Sequence, residues 1–149
     1  MVDIENCIAV RHLVDALERM AFISALPLEG TASKPASALL LRIGFRGPAN
    51  MRIEILTDEA LGSLMAANVM GDCPDALFRG RDALKELLNV TCGSLLSQWP
   101  SAEGRNFEMS IPEVQPVDAA GWEQLLAEGD FALLDAEGHI LGIRLADRK

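Results

Sequence analysis

The run Arg81-Asp-Ala-Leu-Lys-Glu-Leu-Leu-Asn-Val-Thr-Cys-Gly93, wound as a helix, sorts its residues onto two faces. With Asp82 at zero and 100° per residue, Glu86 falls at about 40°, Asn89 at about 340° and Gly93 at about 20°. Leu84, Leu87, Leu88, Leu95 and Trp99 gather between about 140° and about 260°. The leucine face predicts a helix lying on a sheet, with Asp82, Glu86, Asn89 and Gly93 turned outward as a stripe. Gly93 costs about 1 kcal/mol of helix stability relative to Ala, and on that stripe it lets another surface approach the backbone. Pro112 follows Asn89 with 22 residues between them, giving the pattern D-x3-E-x2-N-x22-P. A carboxylate beside a carboxamide can grip a partner and aim a water. A merely solvated helix face carries the same residue types, and Arg81 and Lys85 lie within reach as local partners for Glu86.

Working outward, Asp3 to about Phe22 reads as a first helix, with Ile4, Ile8, Leu13 (or Val14) and Leu17 near a 3.6 period. Ser24–Ser37, rich in Pro, Gly and small polar residues, reads as a loop. Ala38–Phe45 and Met51–Leu56, joined by Arg46-Gly-Pro-Ala-Asn50, read as an antiparallel hairpin. Thr57 is the expected N-cap of a helix running to about Met70 and ending at Gly71, with Asp58 and Glu59 in its first turn. The long helix is expected from Pro74 to about Gln98, stopped by Trp99-Pro100, with Gly80 a possible point of kinking. Phe107–Ile111 reads as a short strand and Ala119–Ala127 as a short helix. Phe131–Leu134 and Ile140–Leu145, around the turn Asp135-Ala-Glu-Gly138, read as a closing hairpin. The expected fold is α+β, a largely antiparallel sheet with long helices packed on it, in a single domain over residues 1–149.

Composition narrows the function. Charged residues are an ordinary 23% and half the chain is apolar, so a packed core is expected. The formal net charge is −9, without any Lys/Arg block, which argues against nucleic acid and anionic membranes as partners. No apolar run approaches the roughly 20 residues that span a bilayer. The acidic N-terminus has no basic-then-apolar export signal, and a cytoplasmic protein is expected. Cys7, Cys73 and Cys92, with His12 and His139, lack metal-ligand or disulfide spacing, so they are read as structural and no metal site is expected. Nucleotide-binding, serine-hydrolase and metalloprotease signatures are missing.

Asp82-Ala-Leu-Lys-Glu-Leu-Leu-Asn-Val-Thr-Cys-Gly-Ser-Leu-Leu resembles the signature of the CheC/CheX/FliY phosphatases, closest to CheX: Asp or Ser, then ExxN, then a proline at fixed interval. Pro112 satisfies that interval, and Gly47–Gly71 resembles the strand, helix and Met-Gly ending that precede the signature. The resemblance covers roughly residues 38–115. It implies a bacterial chemotaxis or two-component signalling phosphatase that hydrolyses the aspartyl phosphate of CheY-like receiver domains. In that role Asn89 orients the attacking water and Glu86 pairs with the receiver's lysine, with Asp82, Lys85 and Gly93 as further partner contacts. The receiver brings its own Mg2+, so no cofactor of this chain's own is expected, and a homodimer through sheet edges is implied.

Two positions depart from the family pattern. Lys85 stands where a small residue is common, and Leu88 where Gly or Ala is. Lys85 favours an alternative reading, a module that binds a receiver without hydrolysing its phosphate; a signalling scaffold whose stripe is merely solvated is the third. A second ExxN is not matched by Asp3-Ile-Glu-Asn6, so one stripe per chain is expected.

Overall fold

The hairpin expected from Ala38–Phe45 and Met51–Leu56 forms, and its first strand is buried on both faces. In the computed structural model, which describes residues 4–47, 50–71, 76–99 and 107–147, β2 (Ala38–Arg46) pairs antiparallel with β3 (Met51–Asp58). Leu39, Leu41, Ile43 and Phe45 point to one side, into a core shared with three helices. Ala38 and Leu40 point to the other, against Leu56, Val117 and Trp122. The helices of the large core are α1 (Ile4–Ala21), α2 (Glu59–Met70) and α3 (Ala76–Ser97), while α4 (Ala119–Ala127) covers part of the opposite face.

Around that hairpin the sheet grows to seven strands, all pairs antiparallel among the described residues. β7 (His139–Asp147) pairs with β3, β6 (Ala132–Ala136) with β7, and β1 (Ala25–Pro27) with β6 at one edge. At the other edge, β4 (Glu108–Met109) and β5 (Glu113–Val117) both pair with β2. The register slips by one residue between those two short strands, so Ile111 and Pro112 form a bulge. Pro112 has no N–H to offer, and such a residue is tolerated at a sheet edge. The signature proline therefore shapes an edge strand; it does not stand on α3.

Several expectations need correcting. Thr57 is not the N-cap of α2: it lies within β3, buried, with Oγ1 donating to Ile140 O at 2.9 Å. Asp58 caps instead, accepting from Ala60 N at 3.0 Å. The expected loop Ser24–Ser37 contains β1, and the segment after Pro112 contains β5, neither of which was anticipated. Gly80 does not break α3, which runs through it from Ala76 to Ser97. The expected starts at Asp3 and Pro74, the stop at Pro100, the turn centre at Pro48-Ala49 and Cys73 lie outside the described residues.

What Gly80 does is admit α2. A Cβ there would come within 2.8 Å of Ser63 N and 2.9 Å of Gly62 C, and a Cβ on Gly62 would strike the Gly80 carbonyl. The two backbones touch at this crossing, and the contact fixes α2 beside the N-terminal half of α3. The far end of α3 is held by Trp99, which meets Phe45 and Phe107 edge-on at centroid distances of 5.8 and 6.4 Å.

Candidate functional site

With Leu84, Leu87, Leu88 and Leu95 buried against the sheet, the opposite side of α3 is presented to solvent. Asp82, Glu86 and Asn89 are all exposed there. Gly93 is half-buried, yet a Cβ on it would meet nothing within 4 Å. The helical wheel thus places the stripe correctly, and the helix that carries it is rigidly seated at both ends.

The local ion-pair partners of Glu86 are not used. Arg81 turns away to α2, where Nε donates to Glu59 Oε2 at 2.5 Å and Nη2 to Oε1 at 3.4 Å. That hydrogen bond, with Glu59's charge assisting and slight burial opposing, raises the Arg81 pKa above its ordinary value. No ion pair joins Lys85 to Glu86 among the described residues, where the salt bridge made by α3 is that of Arg81 with Glu59. Lys85 is half-buried on the flank of the stripe. The carboxylate of Glu86 is therefore open to a cation from outside.

Other chemistry-bearing groups are held elsewhere. Burial pushes the Cys92 thiol up to about 12, which leaves almost no thiolate at neutral pH and removes it as a nucleophile. His12 is buried between α1 and α3, its Nδ1 2.8 Å from Ser94 Oγ. His139 sits on β7, with Nδ1 2.9 Å from Asp58 Oδ2. Among the described residues no group of three or more His, Cys, Asp or Glu is arranged to hold a metal. No helix among them is long and apolar enough to cross a membrane.

A feature the sequence reasoning missed lies directly beside the stripe. A cleft of about 350 Å3 opens between α1, α2 and α3, lined by Met20, Met65, Ala66 and Val69 and bordered by Arg79, Asp82 and Glu86. The available signal was α2 itself, whose sequence after Glu59 is apolar on nearly every face. Such a helix carries more apolar surface than one sheet-facing side needs.

Comparison with known proteins bears on the same residues. The family profile described as Chemotaxis phosphatase CheX matches residues 40–119. No curated protein sequence matches the chain. The crystal structure of chemotaxis protein CheX from Desulfovibrio desulfuricans superposes with a TM-score of 0.69 at 16% identity, over 95% of this chain and 97% of that one. A chain of the CheX–CheY–BeF3–Mg2+ complex from Borrelia burgdorferi gives 0.68 at 15% identity, over 100% of both chains. Chemotaxis protein CheX from Vibrio vulnificus gives 0.65 at 18% identity, over 96% and 97%. At such identities the superpositions speak for the fold. The profile match spans more than half of the chain and contains β3, α2, α3 and the bulge at Pro112, and on that ground this chain belongs to the CheX family of chemotaxis phosphatases.

Proposed function

We propose that this protein hydrolyses the aspartyl phosphate of a CheY-like receiver domain, with Asn89 orienting the attacking water and Glu86 holding the receiver's lysine. The observation that carries the reading is the pair of open side chains on one face of α3, with Glu86 free of an ion pair among the described residues. A carboxamide accepts from the water and donates toward a phosphoryl oxygen without ionising. The water attacks phosphorus in line as the bond to the receiver's aspartyl oxygen breaks, releasing inorganic phosphate and the free carboxylate. The task parallels that of the water-positioning glutamine in GTPases. In the Borrelia burgdorferi complex Mg2+ accompanies CheY and BeF3. Here the receiver is taken to supply the metal, and this chain the water-positioning amide.

Asp82 is assigned to the rim of the contact, Lys85 to its flank and Gly93 to the point of closest backbone approach. A receiver partner of this type places the protein in the cytoplasm. Self-association through a sheet edge is part of the same reading, and sedimentation velocity measures it directly.

Single-turnover decay of a phosphorylated receiver tests the assignment. Asn89→Ala is expected to slow the accelerated decay about 100-fold, the scale on which loss of one positioned polar group is felt. Decay as fast as with wild type would remove Asn89 from the chemistry. Lys85 supports a second reading, a receiver-binding module without catalysis. That reading predicts saturable binding by wild type with no acceleration of decay, and acceleration restored in Lys85→Gly.

A further inference from the structure

The cleft beside the stripe has features that a packing defect lacks. Val69 is 62% exposed on its wall. Phe22 directly follows Ala21, another lining residue, and is 76% exposed. Its backbone sits at φ 59°, a left-handed conformation that bulky residues rarely adopt. Hydrogen bonds hold this turn: Asn68 Nδ2 donates to Ala21 O at 2.8 Å, and Phe22 N donates to Glu18 O at 3.0 Å. An aromatic ring held out in a constrained turn next to an apolar cleft suits a surface that becomes covered. Met20 and Met65 add side chains that re-pack readily around what enters.

We propose that this cleft receives an apolar side chain of the receiver domain, seated next to the lysine that Glu86 holds. The inference rests on the receiver reading of the stripe. Two observations select this occupant. Asp82 and Glu86 belong to both the stripe and the cleft wall, so a partner that places its cation on Glu86 stands at the mouth of the cleft. Arg79 shares the wall, yet neither acid forms an ion pair among the described residues, so two carboxylates and one guanidinium border the apolar floor and leave one net negative charge for a basic neighbour. A second copy of a chain carrying net charge −9 is the poorer match to such a border. The cleft thus supplies affinity and register, and Asn89 the chemistry.

The test uses CheY-type receivers from the same genome, loaded with beryllofluoride and Mg2+ and titrated into the full chain by calorimetry. Val69→Asp is expected to raise Kd at least tenfold and the half-saturating receiver concentration in parallel, whereas Val69→Ile stays within twofold of wild type in Kd. Phe22→Ser, altered at a different exposed position, is expected to weaken binding in the same direction. Wild-type Kd in both Val69→Asp and Phe22→Ser overturns the cleft assignment and leaves the receiver reading standing. If Val69→Asp changes the sedimentation of the protein alone without changing receiver affinity, the occupant is a second copy and the proposal fails. Absence of saturable wild-type binding to every receiver tested overturns the receiver reading, and this inference with it.

Discussion

His12 sits where α1 meets α3, with Nδ1 2.8 Å from Ser94 Oγ and a buried Nε2 that has no hydrogen-bond partner. Burial lowers its pKa below the ordinary 6.5; the charge of Arg11 adds to that, and Asp15 opposes it. The folded state therefore takes up a proton less readily than the unfolded chain. Its contribution to stability is fully present above pH 6.5 and is lost as the pH falls through 6.5 toward the lowered value. Urea unfolding at pH 7 and pH 5 checks this. Wild type is expected to lose more stability on acidification than His12→Gln, and equal losses would show that the ring titrates as it does in the unfolded chain. The consequence reaches the stripe, because His12 bonds the residue that follows Gly93. Asn89 and Glu86 themselves were readable from spacing, since a helical wheel needs only 3.6-residue periodicity and an apolar face to orient against. That Arg81 is drawn off to Glu59 was not readable, because Glu59 belongs to another helix.

At the scale of elements, two glycines of α3 behave oppositely. Gly80 is in backbone contact with Gly62, so a methyl group there forces α2 and α3 apart. Overpacking of that kind costs about 1–3 kcal/mol, and the better helix propensity of Ala returns at most about 1 kcal/mol. Gly80→Ala is expected to lower the urea midpoint, and to loosen the α2–α3 cleft with it. Gly93 faces open space, so Gly93→Ala keeps only the propensity gain and is expected to raise the midpoint while weakening receiver binding. Midpoints that move in the same direction would contradict the packing argument. The sequence marked Gly80 as a point of kinking and Gly93 as a point of close approach; that Gly80 is where α2 packs was not legible, because it depends on what another element brings near. The same limit explains the missed strands. β1 is three residues and β5 contains Pro116, and each is a strand by virtue of the neighbour it pairs with. By contrast, α4 was placed at Ala119–Ala127 from local signals alone, and Asp118 caps it by accepting from Gly121 N at 2.8 Å.

Across the whole molecule, the face of the sheet away from α3 is tied together by one buried acid. Glu54, 1% exposed, stands between Arg42 on β2 and Arg144 on β7 in the strand register. Its Oε1 accepts from Arg144 Nε at 2.9 Å and lies 3.5 Å from Arg52 Nε, while Oε2 is 3.3 Å from Arg42 Nη2. Arg144 also bonds Glu128, just past α4, and lies 4.4 Å above the Phe131 ring. Burial alone would depress the Arg144 pKa; hydrogen bonds and charges from Glu128 and Glu54 outweigh it and hold the pKa above its ordinary value. From the sequence, Arg52 and Glu54 look like the wet side of a strand, because the arginines that surround Glu54 come from separate strands. Removing one partner of a buried ion pair leaves a desolvated charge, which costs about 3–5 kcal/mol. Glu54→Gln should therefore lose stability on that scale in urea unfolding. Glu128→Gln should lose less, since the side chain of Glu128 is 41% exposed and water can replace the bond. Because this network lies across the sheet from the stripe, the rate of receiver dephosphorylation per folded molecule should be unchanged in Glu54→Gln. A proportionate fall in that rate would mean that the two faces of the sheet are mechanically coupled, with the network helping to aim α3.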